Sequence, residues 1–283
     1  MRRSIAVLAS SVLLSAAMAA CGSGGGAGDD GRVRVVAGFA RLAEVAERIG
    51  GDGVAVTDLT PPGAEPHDLE LTSDEIDAVD DADLVLYLGG GFQPGLAAAS
   101  RRAGRAVDLL TAQDGKDPHI WLDPQRLAEA ATVVYRELVA IDAAGADGYR
   151  RRAAAFRDEL AALDQEMAAG LATCERRELV TAHEAFGHLA RRYDLVPEPI
   201  TGISPEAEPD PDRLADLDDL VRAKGVTTVF TERLVSPRVA RALAREAGVK
   251  VAVLDPLEGR LDGGYGDAMR RNLGVLRTAL GCT

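Results

Sequence analysis

Strand-like and helix-like stretches alternate along this chain, and that rhythm limits its fold more than any other feature. Residues 33–37, 54–59, 84–88 and 106–109 are short β-branched runs, while 41–49, 73–79, 94–100 and 125–141 carry helical patterns. The second half repeats this, with strand-like 178–182, 226–231 and 249–254 and helix-like 184–193, 210–222, 236–247 and 266–280. Strands joined by helical crossovers lie parallel, and the helices cover the sheet faces. Between the halves, Tyr149, Ala153, Phe156, Leu160, Leu163, Met167 and Leu171 recur at steps of three and four. That is one helix face sustained for about 23 residues, or roughly 35 Å. The expected fold is α/β: two parallel-sheet lobes joined by one long rigid helix, with a cleft between them. The boundaries are 32–145 for the first lobe, 146–173 for the helix and 174–283 for the second lobe. The alternative is that the helix simply closes the first domain.

Composition narrows the function. The chain has 283 residues, 47% hydrophobic and 27% charged, which excludes collagen-like, mostly disordered and polytopic membrane proteins. Aromatics are only 4%, so Ala, Val and Leu must fill the core. The formal charge of −13 repels phosphate backbones, so nucleic acid is not an expected partner.

The first residues read as an export signal. Arg2 and Arg3 precede an apolar run over 5–14, and Met18-Ala19-Ala20 offers small residues before Cys21. The run is too short for a stable bilayer span. The small residues before Cys21 resemble a bacterial lipobox, which implies cleavage there and a diacylglyceryl group on the Cys21 sulfur. Loss of residues 1–20 removes Arg2 and Arg3 and no acid, so the formal charge moves from −13 to −15. Residues 21–31 then form a lipidated Cys and a Gly/Ser-rich tether with a reach of roughly 15–20 Å. The expected location is the extracytoplasmic face of the bacterial cell membrane. Cys174 and Cys282 remain, and an even pair in an oxidising compartment suggests one disulfide; two unpaired buried thiols are the alternative.

Three of the four histidines lie at loops beside strand ends. His67 lies in Glu65-Pro66-His67-Asp68 after a strand, and His119 in Asp117-Pro118-His119-Ile120-Trp121-Leu122-Asp123-Pro124, beside the single Trp. His183 follows the strand Leu179-Val180-Thr181-Ala182 and opens a helix, and Asp255 follows Val251-Ala252-Val253-Leu254. Ligand sites in parallel sheets gather at the carboxyl ends of strands. Three imidazoles and one carboxylate meeting there would hold a borderline-soft divalent cation. Taken singly, a histidine in such a place is more often a loop or core residue than a ligand. His183-Glu184-Ala185-Phe186-Gly187-His188 only superficially looks like the zinc-protease motif. Its two histidines are five apart, which on a helix separates them by roughly 140°. His188 therefore reads as a packing or surface residue.

These strings, with Val180-Thr181-Ala182-His183-Glu184-Ala185-Phe186-Gly187, Phe230-Thr231-Glu232 and Leu254-Asp255-Pro256, resemble the cluster A-I substrate-binding proteins of metal ABC transporters, the zinc and manganese receptors of the ZnuA/TroA type. The resemblance runs in order through residues 32–283, long helix included. It implies His67 and His119 as metal ligands from the first lobe and His183 and Asp255 from the second. Glu232 would line the cleft or support a ligand from behind. It also implies zinc as cargo, an ABC permease with its ATPase as partner, attachment through the lipid anchor, and no enzymatic activity. The chain is expected to act as a monomer. Two departures stand out. Position 188 is His where an aromatic is expected, and residues 110–116 lack the His-rich loop of many zinc receptors. The other readings are a manganese or iron receptor, a metallohydrolase using the same ligands, an organic-chelate receptor, and an added adhesin role.

Overall fold

The computed structural model of the protein describes residues 31–110 and 117–283. The expectations for the signal peptide 1–20, for lipidation of Cys21 and for nearly all of the tether lie outside these residues.

The first lobe is a four-stranded parallel sheet of β1 (Val33–Ala37), β2 (Val54–Asp58), β3 (Leu84–Tyr87) and β4 (Ala106–Asp108), in the order β2-β1-β3-β4. Around it lie α1 (Ala40–Gly50), α2 (Ser73–Asp81), α3 (Pro94–Ala99) and α4 (Pro124–Ile141). Local chemistry sets several of these boundaries. Thr72 and Glu75 form a reciprocal capping box on α2. Asp123 caps α4 by accepting the Gln125 N–H, with Pro124 as the first helical residue.

The second lobe repeats the plan. Strands β5 (Glu178–Thr181), β6 (Val196–Pro199), β7 (Thr228–Thr231) and β8 (Lys250–Val253) are parallel in the order β6-β5-β7-β8. Its helices are α6 (Gly187–Arg192), α7 (Pro211–Lys224), α8 (Arg238–Ala247) and α9 (Gly264–Leu280). In each sheet the connections reverse direction beside the lobe's first strand, which opens a crevice at the carboxyl ends.

Helix α5 (Ala146–Leu171) joins the lobes over 26 residues, about 39 Å at 1.5 Å per residue. All seven apolar residues of its expected stripe are buried. They pack against α1 and α4 of the first lobe and α9 of the second. One continuous apolar core consequently runs from Val33 and Leu42 through Phe156 and Leu163 to Phe186, Leu254 and Leu276. Smaller cores fill the outer face of each lobe. Cys174 and Cys282 are disulfide-bonded across a sequence separation of 108, tying the end of α5 to the end of α9. Among the described residues no helix is long and apolar enough to cross a membrane.

Two local expectations change. Strand β6 reads Val-Pro-Glu-Pro, and its prolines hide it from any strand pattern; it is tolerated because it lies at a sheet edge, where a missing N–H goes unmissed. Helix α6 begins at Gly187, so His183 and Glu184 lie in the turn before it. The angular argument about His183 and His188 on one helix therefore does not apply, because only His188 is helical.

Candidate metal centre

Four loops at the carboxyl ends of the two sheets meet at one point. His67 sits in a short helical turn, Pro66–Asp68, beyond β2. His119 lies beyond β4, His183 two residues after β5, and Glu258 in the loop after β8. One ligand atom from each of these four residues lies within 4.8 Å of all the others. His119, His183 and Glu258 are fully buried and His67 nearly so.

The spacing is specific. His67 Nε2 and His119 Nε2 are 3.3 Å apart, and His183 Nε2 and His119 Nε2 are 3.4 Å apart. Glu258 Oε1 lies 3.5, 3.3 and 3.6 Å from the Nε2 atoms of His67, His119 and His183. Four donors about 2.0–2.1 Å from a tetrahedral zinc ion would be about 3.3–3.4 Å apart. Adjacent donors of an octahedron at the same radius would be only about 2.9 Å apart. Glu258 is buried with its Oε1 facing all three imidazoles, and a buried carboxylate is costly unless a cation or proton meets it. The donor set thus fits a four-coordinate N₃O cation.

Carboxylates outside the four hold the imidazoles in place. Asp117 Oδ1 accepts the His119 backbone N–H at 3.0 Å and lies 2.8 Å from its ring Nδ1. Glu232 Oε1 accepts the His183 N–H at 3.2 Å, and its Oε2 is 2.7 Å from His183 Nδ1. Glu65 Oε1 accepts the His67 N–H at 3.3 Å. With Nδ1 turned to a carboxylate, the rings of His119 and His183 present Nε2 to the centre and gain basicity as ligands. Phe92 packs edge-on to the His67 ring at 4.5 Å, and Trp121 lies 5.1 Å from the ring of His119.

The charges follow from this packing. Burial pulls the His183 pKa down, but the hydrogen bonds and charges of Glu232 and Glu258 outweigh it and leave it pushed up to about 10. His119 is likewise raised against its burial by Asp117 and Glu258. Burial lowers His67. Glu258 is held well below the usual carboxylate range, because the three imidazoles outweigh its desolvation. Burial and the charge of Glu258 push Glu65 up to about 8.

Among the four ligands expected from sequence, the structure brings together His67, His119 and His183, but not Asp255. Asp255 Oδ1 instead accepts the Leu257 N–H at 2.8 Å, and its Oδ2 faces Arg233 at 3.8 Å. The carboxylate in the cluster is Glu258, three residues on. The only sequence signal for it was a second acid after the same strand. Glu232 supports His183 from behind. His188 is buried outside the cluster, its Nε2 3.0 Å from the Asp117 carbonyl oxygen.

The family described as zinc-uptake complex component A, periplasmic (ZnuA), matches residues 35–279. The zinc-binding protein AdcA of Streptococcus pyogenes is 30% identical over 88% of this chain and 56% of its own length, so the chain spans little more than half of those relatives. The high-affinity zinc uptake system protein ZnuA of Bacillus subtilis is 30% identical over 97% of this chain and 96% of its own. Among solved structures, the laminin-binding protein Lmb of Streptococcus agalactiae has a TM-score of 0.82 at 31% identity, covering 88% of this chain and 99% of that one. The Zn(II)-bound ZnuA-like domain of Streptococcus pneumoniae AdcA has a TM-score of 0.76 at 30% identity, covering 88% and 99%. With a match spanning both lobes, the same paired-lobe fold and three histidines gathered at their junction, the chain belongs to the ZnuA family of zinc-uptake components.

Proposed function

We propose that this chain is an extracytoplasmic receptor that captures one zinc ion with His67, His119, His183 and Glu258 and delivers it to an ABC permease and its ATPase. The observation that carries this reading is the gathering of three Nε2 atoms and one carboxylate oxygen within 4.8 Å of one another, with five of their six separations between 3.3 and 3.6 Å. The names of AdcA and of the Bacillus subtilis ZnuA protein support zinc as the cargo. Four protein donors leave no open position for a reactive water, which favours carriage over hydrolysis. Lobes at 32–145 and 174–283 on a helix at 146–173 would act as one monomeric unit, held at the membrane through Cys21. The expectation of Asp255 as a ligand gives way to Glu258.

The test is the metal content and zinc affinity of protein purified without chelator or affinity tag. One zinc per chain is expected, with binding weakened at least a hundredfold in His183→Ala. Binding undiminished in His67→Ala, His119→Ala and His183→Ala alike would remove the site. Native manganese in its place would overturn the zinc assignment.

A further inference from the structure

The loop that delivers Glu258 is held in an unfavourable shape. Leu257, immediately before it, has φ +61°, the left-handed region that an L residue with a bulky side chain rarely adopts. Its side chain is completely buried, so the conformation cannot relax by swinging outward. Neighbouring residues enforce it. Asp255 Oδ1 accepts the Leu257 N–H at 2.8 Å, closing a tight side-chain turn. Asn272 of α9 pins the Asp255 backbone from both sides, its Oδ1 accepting the Asp255 N–H at 3.0 Å and its Nδ2 donating to the Asp255 carbonyl at 2.7 Å. The first lobe grips the next residues. Trp121 Nε1 donates to the Pro256 carbonyl at 2.7 Å, and Arg41 Nη2 to the Gly259 carbonyl at 3.1 Å.

We infer that Asp255 is a positioning residue for metal capture: by accepting the Leu257 N–H it fixes the left-handed turn that aims Glu258 at the three imidazoles. This rests on the reading of Glu258 as a ligand. The acceptor role of Asp255 is separable from its charge. Its free oxygen faces the half-exposed Arg233 at a distance where water screens the pair, and its charge also acts on the buried Arg41. Without the acceptor, Leu257 loses the partner that offsets its backbone cost, the turn relaxes, and Glu258 withdraws from the cluster. The loop then resembles a spring clip whose catch is Asp255, with Trp121 and Arg41 setting where it closes.

The test is zinc affinity by chelator competition in Asp255→Asn, Asp255→Ala and Glu258→Gln, and in Asp255→Ala combined with Glu258→Gln. The amide keeps the acceptor, so Asp255→Asn is expected within about threefold of wild type, whereas Asp255→Ala should lose about ten- to a hundredfold. In the Glu258→Gln background, Asp255→Ala should cost almost nothing more, because the group it positions is already disabled. If Asp255→Ala does not fold, Asp255→Ser replaces it, with an intermediate loss expected from its weaker acceptor. An equal loss in Asp255→Asn and Asp255→Ala would overturn the inference, since the charge would then matter. So would an equal loss in both backgrounds, which marks a merely structural role. Glu258→Gln without effect would instead remove the ligand reading, and the inference with it.

Discussion

Before a metal ion can bind, His183 has to give up a proton. With its pKa pushed up to about 10 between Glu232 and Glu258, the ring is protonated at neutral pH in the free protein. Metal binding needs the neutral imidazole, so cation and proton compete. The sign is that of a raised pKa: zinc affinity should rise as pH rises towards 10, by about tenfold per pH unit for one displaced proton. Competition titrations between pH 6.5 and 9 check this, and a flat profile would contradict it. The same shift stabilises the metal-free fold, fully below about pH 6.5 and progressively less as pH rises through about 10.

The three histidines were legible because each stands at a strand's carboxyl end, where parallel sheets place their ligands. Glu258 was not. Which of two acids after β8 reaches the centre depends on a left-handed turn at Leu257, and leucine gives no sign of one. Nor did the sequence show that Asp117, Glu232 and Glu65 each take a histidine's backbone N–H. Two of those pairings are local, two residues apart, but the Glu232–His183 contact spans 49 positions.

At the scale of elements, α5 does more than bridge the lobes. Its buried Asp164 accepts from Gln125 at the start of α4, from Arg192 at the end of α6 and from the hydroxyl of Tyr193. One carboxylate thus fastens the helix leading from His119 to the helix following His183. Asp164→Asn is expected to lower unfolding stability at pH 7 by about 1–3 kcal/mol, the worth of charge-assisted hydrogen bonds to a partly exposed arginine. The Arg192 hydrogen bonds hold the Asp164 carboxyl below its ordinary range. Its contribution is therefore complete above the unfolded value, about pH 4, and disappears as pH falls through the folded one. Denaturant melts at pH 7 and pH 3 should show a smaller gap between variant and wild type in acid. An undiminished gap would contradict this assignment.

The disulfide acts on the same scale. By the chain-entropy model, a crosslink closing about 107 residues stabilises by roughly 4–5 kcal/mol, and strain in real bridges reduces this. Reduction of Cys174–Cys282 should lower the melting temperature and leave zinc affinity nearly unchanged, because the bridge joins the ends of α5 and α9 rather than any ligand loop. Thiol titration of the unfolded, unreduced chain should find neither cysteine free. Most helices were legible from their apolar stripes and caps, α5 above all, whose seven-residue stripe is buried throughout. Strand β6 was hidden by its two prolines.

At the scale of the molecule, the two lobes are not loosely hinged. A single core passes through α5, and contacts from Arg41 and Trp121 hold the Glu258 loop against the first lobe. Alternating strands and helices announce this architecture in the sequence, but the meeting of the ligand loops depends on how the sheets face one another, which no local pattern encodes. In the proposed receptor both lobes together supply three imidazoles and one carboxylate to a single zinc ion. Zinc-edge X-ray absorption of the one-to-one complex tests it most directly. Four nitrogen and oxygen neighbours about 2.0–2.1 Å away are expected, with the outer scattering of three imidazole rings, and one ring fewer in His183→Ala. Six-coordinate, oxygen-rich zinc, or a spectrum unchanged in His183→Ala, would contradict it.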